Sequence, residues 1–377
     1  MLRYQSYKFE LRPTGNQLQW IRRIAGCCRF VFNLALATQK QFAEKGVAEL
    51  DFAGLSVRLA AWRRQPECIW LADVPTGYLH QALRNLERAY TRFHGAVNQA
   101  PTFKKRGRSD SFRCCERNET KIDQINGRIF LPKLGWVRYR NSRQMLGRLV
   151  NVTVSAGGDK WFASILMAKE VKAPVASGPA VGIDMGVVRF ATLSDGTFHT
   201  PLNSFRRHEQ ALAKAQRSLS RKSKYSNNWR KEKVRVQRIH VRIGNARRDY
   251  LHKISTTISQ NHAVVCIEDL KVSSMSQRAT RDQVPSVSGK RRLNKSILDQ
   301  GWFEFRRQLD YKLKWNGGRL IAVSPRNTSI KCPQCRHIAK ENRRSQSEFE
   351  CSACGFRGNA DLVGALNVLR AGHARLA

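Results

Sequence analysis

Acidic side chains are scarce in this chain. Its 377 residues carry 28 Asp+Glu against 68 Lys+Arg, a formal net charge of +40, with an isoelectric point near 10.8. So large an excess repels itself in a compact fold unless a polyanion offsets it, and solubility alone needs far less. Nucleic acid is the expected partner, with phosphate contacts supplying most of the affinity. Long apolar runs are missing too: no uninterrupted stretch reaches membrane-spanning length. The opening Met1-Leu-Arg-Tyr-Gln runs straight into an alternating strand rather than a signal peptide. A cytoplasmic protein without membrane contact is expected. There is no P-loop and no G-x-G-x-x-G, so nucleotide hydrolysis is not expected. No Ser/His/Asp or Cys/His set stands out, the nine histidines are scattered, and no internal repeat is visible. Length allows two or three domains, and a hydrophobic content of 41% suffices for real cores.

Cysteine is not scarce, and its spacing is informative. Cys332-Pro-Gln-Cys335 and Cys351-Ser-Ala-Cys354 are separated by fifteen residues. Each pair lets two thiolates face one ion, and the two pairs complete the tetrahedron that Zn²⁺ prefers. Among the ten cysteines, Cys27, Cys28, Cys68, Cys114, Cys115 and Cys266 show no metal spacing and are expected to be packing residues in a reducing compartment.

Tyr7, Phe9 and Leu11 alternate with Lys8, Glu10 and Arg12, as in a half-buried strand. Thr14-x-x-Gln17 then has capping-box form and opens a helical region. Leu79, Leu83, Leu86, Tyr90, Phe93 and Val97 mark one face of a long helix that Pro101 is expected to end. The basic segment Phe103–Phe112, with an aromatic at each end, suits a loop tracking a polynucleotide backbone. Strands are expected at Arg128–Leu131, Gly135–Tyr139, Leu149–Ser155 and Trp161–Ala168, the last two joined by an Ala-Gly-Gly-Asp turn. Residues 171–179 read as a linker. Beyond it, Val181, Ile183 and Met185 form a buried strand, and Val187–Leu193 reads as a second. Residues 206–253 hold 16 Lys+Arg against 3 Asp+Glu over a helical pattern, a phosphate-facing pair of helices. Ala263–Ile267 reads as a strand and residues 275–300 as a mobile polar connection. Trp302–Trp315 reads as a helix, Arg319–Val323 as a strand, and a terminal helix starts near Ala360.

Three carboxylates occupy telling places in this α/β part. Asp184 sits mid-strand, Glu268 ends a strand and points out of a sheet edge, and Asp361 begins the last helix. A carboxylate in a buried strand is costly unless paired or metal-bound. Acids from two strands and one helix can converge on two Mg²⁺ ions roughly 4 Å apart. Gly182 and Gly186 are expected to leave room for substrate beside Asp184. Other roles stay open: Asp184 paired with a buried arginine, Asp269 in place of Glu268, and Asp361 as a helix-start residue favoured by the dipole.

Gly182-Ile-Asp-Met-Gly186, Cys266-Ile-Glu-Asp-Leu270, the two Cys-x-x-Cys pairs and Asn359-Ala-Asp-Leu-x-x-Ala-Leu-Asn367 together resemble the TnpB family, RNA-guided nucleases of insertion sequences. The likeness includes Tyr7-Lys-Phe-x-Leu-x-Pro-Thr14, Gly26-Cys-x-Arg-Phe-Val-Phe-Asn33, Pro101-x-Phe-Lys-Lys105 and Pro132-Lys-Leu-Gly-Trp-Val137, and so spans nearly the whole chain. The resemblance implies a wedge-like β-barrel (residues 1–12 and 101–170) interrupted by a helical recognition domain (13–100). It implies a RuvC nuclease domain of RNase H fold (180–325 and 359–377) with an inserted zinc ribbon (326–358) that binds target nucleic acid. Asp184, Glu268 and Asp361 become catalytic, Mg²⁺-holding residues, and Cys332, Cys335, Cys351 and Cys354 hold structural zinc. A monomer would carry one guide RNA from the transposon end and cut double-stranded DNA beside a short flanking motif, sequence being read by pairing. Candidate nucleic-acid contacts are Phe52, Thr76, His80, Gln81, Lys104, Lys105, Arg106, Arg221, Lys222 and Lys224. The chain departs from the family at Val363 and Gly364, where Asn and Ala are usual. Weakened cutting is therefore an expectation, and a silent RNA-guided repressor the alternative. A transposase using a similar acidic triad is a third reading.

Overall fold

The computed structural model describes residues 1–95, 99–108, 110–115, 119–172, 174–277 and 287–376. The chain divides into two compact units, Met1–Val171 and Lys172–Ala377.

In the first unit, β1 (Leu2–Arg12) buries Tyr7, Phe9 and Leu11 and exposes the charged residues between them, as the alternation requires. Helix α1 (Gly15–Glu44) starts at the anticipated capping box, with Thr14 and Gln17 each accepting from the other's backbone N–H. Helix α2 (Phe52–Trp62) is capped by Asp51, a 3₁₀ turn follows (Pro66–Asp73), and α3 (Thr76–His94) packs on α1. Helix α3 ends at Gly95 and does not run on to Pro101; Val97 lies outside the described residues. The last helical residue is His94, followed by Gly95, a weak helix former, ahead of the proline. Strands β2 (Ser111–Cys114), β3 (Lys121–Asp123), β4 (Arg128–Leu131), β5 (Gly135–Tyr139), β6 (Arg148–Gly157) and β7 (Lys160–Glu170) complete an antiparallel sheet of order β2-β6-β7-β1-β5-β4-β3. Segment 103–112, whose Ser109 lies outside the described residues, is thus partly strand. Phe112 is buried rather than presented to a polynucleotide. Cys27, Cys28, Cys68 and Cys114 are buried as expected, but Cys115 is exposed.

Of the 171–179 linker, Ala173 lies outside the described residues. The second unit carries β8 (Ala180–Asp184), β9 (Ala191–Leu193) and β10 (Phe198–His199), then α4 (Ser204–Ser220) and α5 (Asn227–Asn261). Next come β11 (Val264–Glu268), α6 (Val272–Met275), α7 (Val287–Gln300), α8 (Trp302–Trp315) and β12 (Arg319–Val323). Strands β13 (Glu348–Glu350) and β14 (Arg357–Asn359) form a separate pair before the last helix, α9 (Ala360–His373). The main sheet runs β10-β9-β8-β11-β12, with β8, β11 and β12 parallel. Val181, Ile183, Val265 and Ile267 share its core with Phe190, Phe305, Leu309 and Leu313.

Two expectations need correcting here. The second strand begins at Ala191, not Val187, because Gly186 N–H turns back to the Phe190 carbonyl. Residues 275–300, of which 278–286 lie outside the described residues, include the helix α7 rather than a wholly irregular connection. Ile297 and Asp299 anchor that helix: Ile297 lies in the core, and Asp299 accepts from Ser204 Oγ and pairs with Arg247 at 2.5 Å.

Candidate active site and metal centre

Parallel strands feed the first two acids to the same end of the sheet. Ile183 pairs with Ile267, so the following residues, Asp184 and Glu268, emerge side by side on neighbouring strands. Asp184 is therefore the last residue of β8 and not mid-strand. Glu268 ends a strand flanked on both sides, by β8 and β12, and not a sheet edge. It is 6% exposed, whereas Asp269 turns outward and binds Arg306. The third acid comes from α9. Asn359 caps that helix by accepting from the N–H groups of Asp361 and Leu362, which sets Asp361 in the first turn.

Electrostatics ties the three together. Burial first, then repulsion from Glu268 and Asp361, raises Asp184 to about 7, and Arg343 partly offsets this. Burial also raises Glu268, opposed by the Thr328 hydroxyl and Arg343. No arginine forms an ion pair with Asp184 among the described residues. Arg343, which the sequence offered no reason to single out, lies 3.8 Å from Asp361 and acts on all three acids. Crowded, buried like charges of this kind suit a divalent cation, whose charge would offset the desolvation of the carboxylates.

The glycines near Asp184 do other work than anticipated. A Cβ on Gly182 would come 2.2 Å from the Ala365 carbonyl and 2.6 Å from Leu369 N, so Gly182 lets α9 lie against β8. A Cβ on Gly186 would strike the Arg189 carbonyl, so this glycine serves the turn. The glycine that borders the Asp184 carboxylate is Gly364, where an added Cβ would lie 3.1 Å from Cγ. Val363 is buried with Cys332, Phe349, Cys351 and Ala360, an apolar cluster that includes two of the four cysteines.

The four cysteines meet. Their sulfurs all lie within 4.8 Å of one another, with Cys332–Cys354 at 3.6 Å and Cys335–Cys351 at 3.5 Å. Tetrahedral Zn–S bonds of 2.3 Å place sulfurs about 3.8 Å apart, so the donor set fits zinc. The two knuckles share one backbone plan. Arg336 and Gly355 donate to the Cys332 and Cys351 carbonyls and have positive φ, while Cys332 and Cys351 donate to the His337 and Phe356 carbonyls. Among the described residues this is the one group of three or more such donors gathered so closely; the three acids are set wider.

The proposed nucleic-acid contacts separate into two kinds. Phe52, His80 and Gln81 line a cavity of about 230 Å³ with Gly77, Arg84 and Cys115. Arg84 stacks 4.5 Å over the Phe52 ring, and Phe52 meets His80 edge-on. Thr76 accepts from Arg63 nearby. Lys104 is partly buried with Nζ 3.9 Å over Phe32, and burial lowers its pKa, so it is engaged within the unit. Lys105, Arg106, Arg221, Lys222 and Lys224 are exposed.

Comparison with known proteins gives a consistent picture. Residues 164–279 match a family model described as "Probable transposase", residues 302–368 a Cas12f1-like TNB domain, and residues 1–46 a helix-turn-helix domain. In that last range the structure has a strand and one long helix. A relative from Escherichia coli K12, named "Putative RNA-guided DNA endonuclease InsQ", is 52% identical over 381 residues, covering 100% of this chain and 94% of the relative. A Streptomyces pristinaespiralis protein named "Putative RNA-guided DNA endonuclease" is 32% identical, covering 98% and 90%. Among solved structures, Cas12f1 from its complex with guide RNA and target DNA aligns with a TM-score of 0.62 at 12% identity, covering 98% of this chain and 99% of that one. The shared fold is an α/β multidomain of the Cas12 kind.

Proposed function

Because this chain belongs to the TnpB family of insertion-sequence proteins, we propose that it is an RNA-guided DNA endonuclease. A guide RNA from the transposon end would select double-stranded DNA by pairing, next to a short flanking motif. The observation that carries the chemistry is the convergence of Asp184, Glu268 and Asp361 at the C-terminal ends of β8 and β11 and the start of α9.

In this reading residues 180–325 and 359–377 form a RuvC-type nuclease domain. Residues 1–12 and 101–170 form a wedge barrel, 13–100 a recognition domain, 171–179 a linker and 326–358 the zinc ribbon. The four cysteines would hold Zn²⁺ as a structural ion, since such modules seldom fold without it. Asp184, Glu268 and Asp361 would hold two Mg²⁺, which when bound supply an activated water and charge stabilisation for the departing 3′ oxygen. Arg343, beside Asp361, is placed to meet the negative charge that builds on the scissile phosphate. The cavity around Phe52, His80 and Gln81 is our candidate for reading the flanking motif, and the exposed Lys105, Arg106, Arg221, Lys222 and Lys224 for phosphate contacts. We expect one chain per guide, in the cytoplasm of its host.

The test is cleavage of a matched, flanked duplex by the protein with its guide RNA and Mg²⁺. Asp184→Ala should abolish cutting while leaving target binding intact; unchanged cutting would overturn the assignment. Tight binding without cutting by the unaltered protein, in Mg²⁺ or Mn²⁺, would point instead to a guided repressor.

A further inference from the structure

Glu268 does not stand alone at the end of β11. Its Oε1 lies 2.6 Å from the hydroxyl of Thr328, sixty residues away, and Oε2 makes no hydrogen bond among the described residues. The same hydroxyl is 3.0 Å from the Pro325 carbonyl. A hydroxyl has one proton, and the shorter contact to a carboxylate, charge-assisted, takes it. Both side chains are buried, Glu268 at 6% and Thr328 at 7% exposure, so the bond is shielded from competing water.

Thr328 is itself held from behind. It sits in the turn that leaves β12, where Asn327 adopts φ +64 and its carbonyl accepts from Ile330 and Lys331. The amide of Asn367, on the buried side of α9, donates one hydrogen to the Thr328 carbonyl at 2.8 Å and the other to the Lys331 carbonyl at 2.7 Å. Both ends of the turn are thus clamped to the helix that carries Asp361. The next residue along is Cys332, the first of the four thiols.

We propose that Thr328 is a positioning residue for cleavage: clamped by Asn367, its hydroxyl sets the rotamer of Glu268 and makes that setting depend on the seating of the cysteine-bearing ribbon. The proposal rests on the reading of Glu268 as a metal-holding residue. Groups that orient such carboxylates typically change metal affinity or activity ten- to a hundredfold when removed.

The experiment compares Thr328→Val, Thr328→Ser and Glu268→Gln, each as full chain with its guide RNA. Thr328→Val keeps the shape and removes the donor; Thr328→Ser keeps the donor and removes a methyl. Cleavage rate is measured against Mg²⁺ concentration, Mn²⁺ affinity of the protein by titration without turnover, zinc content by elemental analysis, and target affinity separately. Thr328→Val should cut roughly tenfold or more slowly, with weaker Mn²⁺ binding but full zinc and unchanged target affinity. Thr328→Ser should recover most of both losses. Thr328→Val cutting and binding Mn²⁺ like the unaltered protein would overturn the proposal. So would Thr328→Ser failing equally alongside loss of zinc, which would make the residue a packing element. Undiminished cutting by Glu268→Gln would instead remove the underlying reading of the acids.

Discussion

A hydrogen atom where a methyl could stand governs the space beside Asp184. Gly364 faces that carboxylate, and an alanine Cβ there would lie 3.1 Å from Cγ and 3.3 Å from Oδ1, closer than such contacts normally fall. Alanine would favour helix α9 by about 1 kcal/mol, and the Asp184 side chain need give by only a few tenths of an ångström to admit it. Gly364→Ala, which restores the residue usual in the family, should therefore melt at the same temperature or higher and cut at least as fast; a loss of about tenfold or more would show that Asp184 has no slack. Lys312 offers a second test on one residue. It is 8% exposed, donates to the His252 carbonyl, Ser255 and Thr256, and burial lowers its pKa from 10.5 to about 8. Between those values the unfolded chain binds more protons than the folded one, so this group adds stability as pH rises from about 8 to 10.5 and subtracts it below. Lys312→Met removes the titration. Its stability relative to the unaltered protein, followed by urea unfolding, should be best near pH 7 and decline towards pH 10; parallel pH curves would refute this.

At the scale of elements, docking of α9 decides whether the acids meet. The helix lies against β8 because Gly182 has no side chain; a Cβ there would enter the backbone of Ala365 and Leu369. Helix backbone cannot step aside as a flexible side chain can, so Gly182→Ala should destabilise the second unit by about 3 kcal/mol and reduce cutting even at temperatures where the protein stays folded. Thermal unfolding within about 1 °C of the unaltered protein would contradict the packing argument. Several elements were readable in advance. The alternation of Tyr7, Phe9 and Leu11 marked β1, and Thr14 and Gln17 marked the start of α1, since both signals are local. Helix α7 was not readable: its polar composition resembles a connection, and much of what anchors it, Ile297 in the core, Asp299 on Ser204 and Lys295 on Glu209, is engaged with distant partners.

For the molecule as a whole, the charge of +40 is the dominant quantity. Along α4 and α5 most Lys and Arg side chains are exposed, with few acids to pair them. If six to ten phosphates are contacted, target affinity should fall by roughly 10³–10⁵ between 50 and 200 mM salt. A flat response would mean that the basic surface serves something other than phosphate. The exposed Lys105, Arg106, Arg221, Lys222 and Lys224 are the residues whose neutralisation should flatten the slope, by close to one unit each for true phosphate contacts.

The sequence by itself determined the kind of donors and their order: two Cys-x-x-Cys pairs and three acids among apolar residues, in a chain too basic to live without a polyanion. Sulfur spacing survives in sequence because a knuckle is a local structure closed by hydrogen bonds four and five residues apart. The tertiary structure decided what stands between distant residues. It put Glu268 on a central strand, gave Gly182 to a helix and Gly364 to Asp184, and brought Arg343 and Thr328 to the acids. Such contacts arise from parallel pairing and helix docking across long separations, and no periodicity or spacing in a single chain records them.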